Sequence, residues 1–341
     1  MAKTVPVDQA VGMILPHDVT EIRQGEFKGR AFKKGHIIRP ADIDHLKRLG
    51  KEHIYVLELA ADDIHENEAA LQLAQALAGP GIAFPTEPVE GKLNLTASQA
   101  GLFQVNTEAL YQFNLVGEVM CATIHTDTVV AKGEPVGGTR LIPLVAKRQV
   151  VEQAVQIAQK AGGVLTVLPL RSAKAGLVIT GNEVYHGRIK DAFEPVLRKK
   201  LATIGSEVAA VRFAPDDVDQ IAAAIRDCLE NGADLIITSG GMSVDPDDVT
   251  RLGIARAGAT DIVYGTPVLP GAMFLVGYIG GVPVMGLPAC GMFHKITVFD
   301  LVLPRVLAGK KITRETLAAM GHGGLCRNCP QCHYPICSFG K

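Results

Sequence analysis

From about residue 175 onward, short apolar runs alternate with longer amphipathic ones, and this alternation constrains the chain more than anything else in it. AGLVIT, EVAAVRF and ADLIIT are runs of the kind that form buried strands. IKDAFEPVLRKKL places Ile189, Phe193, Val196, Leu197 and Leu201 on one helical face. DDVDQIAAAIRDCLENG does the same with Val218, Ile221, Ala222, Ile225 and Leu229, and Asn231-Gly232 closes it. Strands separated by helices pair in parallel through right-handed crossovers. The expectation over 171–312 is an α/β fold, a three-layer and mostly parallel sheet.

One run tests that reading. AMFLVGYIGGVPVMGLPAC, from Ala272, has no charge over nearly the length of a membrane span. Gly277, Gly280, Gly281, Pro283, Gly286 and Pro288 interrupt it, so two buried strands around a Gly-Gly turn are expected, not a membrane helix. A net charge of -1 and the lack of a basic, aromatic-laced stripe argue against nucleic acid as a partner. The opening MAKTVPVDQA has no apolar signal region, and a cytoplasmic protein is expected.

The first half of the chain is less regular. Residues 1–60 read as a small α+β, linker-like segment. From Gly29 it runs strand, short helix (Ile43, Leu46 and Leu49 inward, Gly50 closing) and the strand HIYVLEL. Residues 61–170 read as a mixed, β-rich region of unclear type, with helices from about Glu66 to Ala78 and from Val150. In DDIHENEAA, the residues His65, Glu66 and Glu68 stand at a helix start. Solvated capping explains them, and a metal or proton-transfer role is the sharper alternative.

Chemistry concentrates where strands end. Ligands of parallel α/β sheets bind at the carboxyl ends of the strands. LIIT ends at Thr238, which puts Ser239, Gly240 and Gly241 on that edge. A glycine turn there can aim backbone amides at an anion. Asp245, Pro246 and Asp248 fit the N-cap, N1 and N3 positions of a following helix. Asp247 or Asp248 could also hold Mg²⁺, which is commonly bound by one or two carboxylates plus substrate phosphates. VITGNEVYHG places Thr180, Gly181, Asn182 and Glu183 on the same edge, and VMGLPACGMF supplies a third turn, with a helix expected near Gly291.

Taken in order, TGNE, SGGMSV with DPDDVT, PVLPG from Pro267 and GLPA from Gly286 resemble the molybdopterin-binding domain of molybdenum-cofactor biosynthesis proteins. The GGMSV form is most similar to the molybdopterin molybdenumtransferases. The DDVT ending is also similar to the adenylyltransferases and CinA-like proteins. VPVDQAVGMILPHDVT and KKGHIIRPADIDHLKRLG resemble linker segments of the molybdenumtransferases. The resemblance implies an enzyme that binds molybdopterin or adenylated molybdopterin and, with Mg²⁺, inserts molybdate. The alternatives are a non-catalytic protein that binds or delivers the cofactor, and an adenylyltransferase. It implies pterin or phosphate contacts from Thr180, Gly181, Asn182, Glu183, Ser239, Gly240, Gly241, Ser243 and Pro288, with Asp247 and Asp248 as catalytic and Mg²⁺-holding residues. Two departures are plain. The family's Met-Asp-Gly-Tyr-Ala stretch is absent, and its GLPGNP turn reads GLPACG here. The Cys290 that results is either a packing residue or a soft ligand for molybdenum.

Four of the seven cysteines close the chain in GHGGLCRNCPQCHYPICSFGK. Cys326, Cys329, Cys332 and Cys337 have the crowding of a metal site, zinc or [4Fe–4S], rather than of a disulfide framework. The expectation over 313–341 is a metal-binding tail that orders itself, relays electrons or docks a molybdenum or tungsten oxidoreductase. A homo-oligomer is a further possible assembly.

Overall fold

The structure is a computed structural model that describes every residue except 1, 24–26, 58 and 244. The chain divides into two compact units, residues 1–125 with 130–167 and residues 126–129 with 168–341.

The second unit is the expected α/β layer structure. Its strands are β1 (Lys174–Thr180), β2 (Glu207–Ala214), β3 (Leu235–Ser239), β4 (Thr260–Tyr264), β5 (Leu275–Ile279) and β6 (Val282–Leu287), in the order β2-β1-β3-β6-β5-β4. β2, β1, β3 and β6 run parallel, and β5 is antiparallel to both of its neighbours. The uncharged run from Ala272 becomes β5 and β6 around left-handed Gly280 and Gly281. No helix among the described residues is long and apolar enough to cross a membrane.

Helices α1 (Asn182–Tyr185), α2 (Phe193–Thr203), α3 (Val218–Glu230), α4 (Thr250–Arg256), α5 (Val298–Leu307) and α6 (Arg314–Ala319) complete the unit. Side chains alternate across a strand, so β1 feeds two cores. Leu177 and Ile179 pack with Phe193, Leu197 and Leu201 of α2 and with α5. Val178 packs with Ile221, Ala222 and Ile225 of α3 and Ile254 of α4. Ile189 does not join the α2 face. It lies before the helix and is exposed.

The cysteine-rich segment belongs to this unit and is not a free appendage. Phe339 is buried in the core shared with α5, and the Gly340 amide donates to the Gly323 carbonyl at 3.0 Å. Tyr334, Cys326 and Cys337 pack against the same core, so several side chains hold the segment back on the unit.

The first unit is mixed, as its sequence suggests. Its front segment builds a small core from Val7, Leu15, Ile38 and Leu46. Leu46 comes from the short helix Ile43–Arg48, and Ala2–Pro6 pairs antiparallel with His53–Leu57. The larger part is an antiparallel sheet in the order Ile82–Ala83, Lys92–Ala97, Pro135–Leu141, Val119–Thr123, covered by helices Glu66–Leu77 and Arg148–Lys160. Helix Thr107–Leu115 is not evident in the sequence. Only Ala109 and Phe113 are buried along it, too few for a periodic signal.

Candidate functional site

The parallel register decides where the turns lie. Ile179 is level with Ser239, and Ser239 with Leu287, so β1, β3 and β6 end on one edge. Thr180 is level with Ala214, which adds the end of β2. The loop from Tyr264 to Leu275, which contains PVLPG, lies on the same edge because Tyr264 pairs with Leu275 and Leu275 with Gly286. The turns singled out in the sequence therefore meet at one rim.

At the end of β3 the chain bends through Gly240 (φ 87°) and Gly241 (φ 54°), both left-handed. The glycines are required, though for a different reason from the expected one. A Cβ on Gly240 would stand 2.5 Å from the Thr180 carbonyl oxygen, and one on Gly241 would collide with the Thr250 hydroxyl. Glycine thus lets the turn press against the protein. Among the described residues, none accepts from the four consecutive amides at 240–243. Successive unpaired N–H groups on a left-handed turn form an anion-binding concavity.

Two predicted contact residues serve the scaffold instead. Thr180 is buried, and its hydroxyl donates to the Ser239 carbonyl at 2.9 Å and lies 2.8 Å from the Thr250 hydroxyl. Ser239 is fully buried, and its Oγ finds no partner among the described residues. Gly181 (φ 134°) turns the chain out of β1, and Asn182 donates its amide to Asp216 Oδ2 at 2.9 Å. Glu183 is exposed, Ser243 is half-buried, and Pro288 precedes a 3-10 turn over Ala289–Met292.

The acidic segment corrects the expected helix start. The Asp248 amide donates to the Asp245 carbonyl at 3.0 Å, and the Asp245 amide to Asp248 Oδ2 at 3.2 Å. These bonds close a separate turn, and the helix begins at Thr250 without a side-chain cap. Released from capping, Asp245 and Asp247 are exposed and Asp248 half-buried. The third turn differs in the same way. No α-helix begins near Gly291. It begins at Val298, where Thr297 and Asp300 form a capping box. Cys290 is half-buried, and burial pushes its thiol up.

Asp216, which follows β2, was not singled out in the sequence. Burial raises its carboxyl above the usual range, and the charges of Glu183, Asp248 and Asp247 raise it further, while the Asn182 amide opposes them. Four carboxylates thus share one rim. The available signal was the strand end itself, since RFAPDD stops at this edge just as LIIT does.

The first unit holds a second polar cluster, around His65 and Glu66. Both are buried, so solvated capping is not their role. His65 caps its helix, accepting the Asn67 amide on Nδ1 at 3.1 Å, while Nε2 lies 3.0 Å from the Pro16 carbonyl. Lys34 Nζ approaches His65 Nδ1 to 3.0 Å. Glu66 accepts from Arg140 at 3.2 Å, whereas Glu68 pairs outside with Arg148 at 2.8 Å. Burial raises the Glu66 carboxyl against the pull of Arg140 and Lys34, and burial together with Lys34 lowers the His65 imidazole. The cluster borders a cleft of about 320 Å³ with His17, Asp18, Thr20 and Glu90 in its wall.

The four tail cysteines line one cavity of about 350 Å³. Even so, no three His, Cys, Asp or Glu side chains among the described residues stand close enough together to hold one metal ion. This bears on the rim carboxylates as much as on the tail.

A strand-end site on a mostly parallel α/β sheet is the class the geometry defines. Comparison with known proteins is more specific: residues 176–308 match a family described as "Probable molybdopterin binding domain". Over that span, somewhat over a third of its length, the chain is similar to molybdopterin-binding domains. Residues 4–58 match a domain of unknown function (DUF8806). A CinA-like protein of Mycobacterium avium (strain 104) is 38% identical over 97 residues, 28% of this chain and 22% of that protein. One of Mycobacterium tuberculosis (strain ATCC 25177 / H37Ra) is 40% identical over 92 residues, 27% of this chain and 21% of that protein. The chain thus spans about a fifth of the length of these curated relatives. Among solved structures, the molybdopterin biosynthesis enzyme MoaB of Thermus thermophilus is 24% identical, with a TM-score of 0.35 over 40% of this chain and 98% of that one. The molybdopterin biosynthesis MoeA protein of Pyrococcus horikoshii is 16% identical, with a TM-score of 0.34 over 91% of this chain and 75% of that one.

Proposed function

We propose that the rim binds the phosphate end of molybdopterin or its adenylate and carries out the Mg²⁺-dependent molybdenumtransferase step, with molybdate as co-substrate. The observation that carries this reading is the run of four amides at 240–243 with no acceptor among the described residues, beside the other strand ends and bordered by carboxylates. The amides would hold the phosphate oxygens. Asn182 and Glu183 would border them on one side and the turn after Pro288 on the other.

The carboxylates suit a cation that is mostly hydrated. No three of them can ligate one ion directly. Mg²⁺ ordinarily takes one or two carboxylates and completes its octahedron with water and phosphate. Asp247 and Asp248 would supply those one or two, and the charge repulsion on Asp216 is what a cation there would relieve. The bound ion would neutralise charge at the phosphoanhydride. The chain's own part is to orient the phosphate and stabilise charge without a covalent nucleophile.

Purified protein given adenylated molybdopterin, Mg²⁺ and molybdate is expected to release AMP. Asp247→Asn and Asp248→Asn should each lower the rate by on the order of 10²-fold or more. Both side chains lie outside the core, so thermal stability should hardly change. Pterin binding with no AMP release would favour the cofactor-delivery alternative, which the absent Met-Asp-Gly-Tyr-Ala stretch also favours. ATP consumption with molybdopterin would favour adenylyl transfer.

A further inference from the structure

We infer that the second unit carries a docking groove for an extended, acidic segment of a partner protein, one that brings apolar side chains along with its charges. Two neighbouring cavities, of about 350 and 640 Å³, form the groove. The cysteine-rich loop walls the first, and residues of α2 and α5 wall the second. Phe293, His294, Lys295, Ile296 and Tyr334 line both, so the two share one wall. Two chambers in succession suit a length of chain better than one compact ligand. The shared wall follows from local structure. β6 ends at Leu287, a 3-10 turn covers Ala289–Met292, and the capping box of Thr297 and Asp300 fixes the start of α5. Residues 293–296 are left between two fixed points. Phe293 is 81% exposed there, and Leu325 on the facing loop 65%. In the same loop the Ile336 amide donates to the His333 carbonyl at 2.7 Å, and Ile336 is 90% exposed. Phe293 and Ile336 are the two most exposed large apolar side chains among the described residues. One such side chain in water is ordinary, whereas several around one groove mark an interaction site.

Charge names the class of partner. No carboxylate lines the first cavity, and the sequence has no Asp or Glu from residue 316 to its end. The single acid lining the second is Asp300, which Lys200 and the Thr297 amide already hold. By contrast, Lys199, Lys295 and Arg327 are exposed, line the groove and form no ion pair among the described residues. Free cations around apolar anchors complement carboxylates and repel a basic segment. The walls are also preformed. The Leu269 amide donates to the Gly324 carbonyl and the Cys326 amide to the Leu269 carbonyl, both at 2.8 Å, and buried Phe339 anchors the far end of the loop. An incoming segment therefore does not have to order the loop, which lowers the entropic cost of docking.

Short random peptides displayed on phage are to be selected against the full-length protein under reducing conditions. The recovered sequences are then made synthetically and titrated by fluorescence anisotropy. They are expected to be rich in Asp and Glu, with Leu or an aromatic residue among them. Phe293→Ser and Ile336→Ser should each weaken binding by about tenfold. Lys295→Glu and Arg327→Glu should each weaken it by about threefold to tenfold and reduce its dependence on salt. All four positions are exposed, so circular dichroism and thermal unfolding should stay native. Recovery of no peptide, of basic or uncharged peptides, or of acidic peptides whose affinity these variants leave unchanged would overturn the inference. So would a concentration-dependent dimer in sedimentation that Phe293→Ser disperses, because the groove would then belong to a second copy of the chain. None of these readouts uses pterin or AMP release, so the inference stands or falls apart from the proposed function.

Discussion

At the strand-end rim of the second unit the polar groups are backbone amides and exposed or half-buried carboxylates, while beside Glu66 in the first unit they are side chains paired with one another around buried His65 and Glu66. At the rim the side chains that might have contacted a ligand, Thr180 and Ser239, are turned inward, and the outward surface is main chain. Beside Glu66 the reverse holds, with buried Glu66 held by half-buried Arg140 and buried His65 approached by exposed Lys34. The difference teaches how each fails. A main-chain site depends on conformation and tolerates many side-chain changes. A paired side-chain cluster depends on its partners, since breaking a buried pair leaves a stranded charge.

Substitutions can break or sharpen that contrast. The largest effect is expected for Gly240→Ala. A left-handed φ and a Cβ pressed on the Thr180 carbonyl should together cost about 3 kcal/mol in chemical denaturation and remove phosphate binding. A loss under about 1 kcal/mol would mean the turn is not locked by its backbone. Next comes Glu66→Ala, expected to destabilise by about 2 kcal/mol because half-buried Arg140 loses its acceptor and Lys34 loses a neighbouring negative charge. Glu66→Gln should cost less, since it keeps an acceptor in place. A neutral Glu66→Ala would show that the cluster does not support the unit.

Titration should separate the two regions as well. The His65 and His17 imidazoles are lowered by burial, so their stabilising contribution is full above the ordinary value of 6.5 and is lost as pH falls through their lower folded values. The Glu66 carboxyl is raised, so its contribution is present below 4.5 and lost as pH rises through its folded value. A melting series with pH should therefore lose stability below 6.5, and His65→Gln should flatten that limb. An unchanged limb would place the pH response elsewhere. The smallest effect is expected at Asp216, whose raised carboxyl loses its contribution as pH rises above 3.8. Asp216→Asn should stabilise the protein by a few tenths of a kcal/mol at neutral pH, the charges being screened by solvent. Added Mg²⁺ should abolish that gain if the rim holds a cation.

Much of the second unit could be read from residue order. The alternating periods located β1, β2, β3, α2 and α3, and the Gly-Gly turn resolved the uncharged run into β5 and β6. Helix starts were less legible. Asp245-Pro246 has the composition of a cap, but bonding between Asp245 and Asp248 closes a turn first, and composition does not distinguish the two. His65 and Glu66 looked like a solvated helix start because their burial depends on Pro16, Lys34 and Arg140, which are distant in sequence.

By itself, then, the sequence determined most of the strands and helices of the second unit and where glycine turns stand between them, because those follow from local periodicity and backbone freedom. Only the tertiary structure decided that Asp216 shares the rim, that Thr180 and Ser239 face inward, and that four cysteines line one cavity without gathering round one point. The reason is that register and long-range contacts fix the distances between side chains, and no local pattern encodes them.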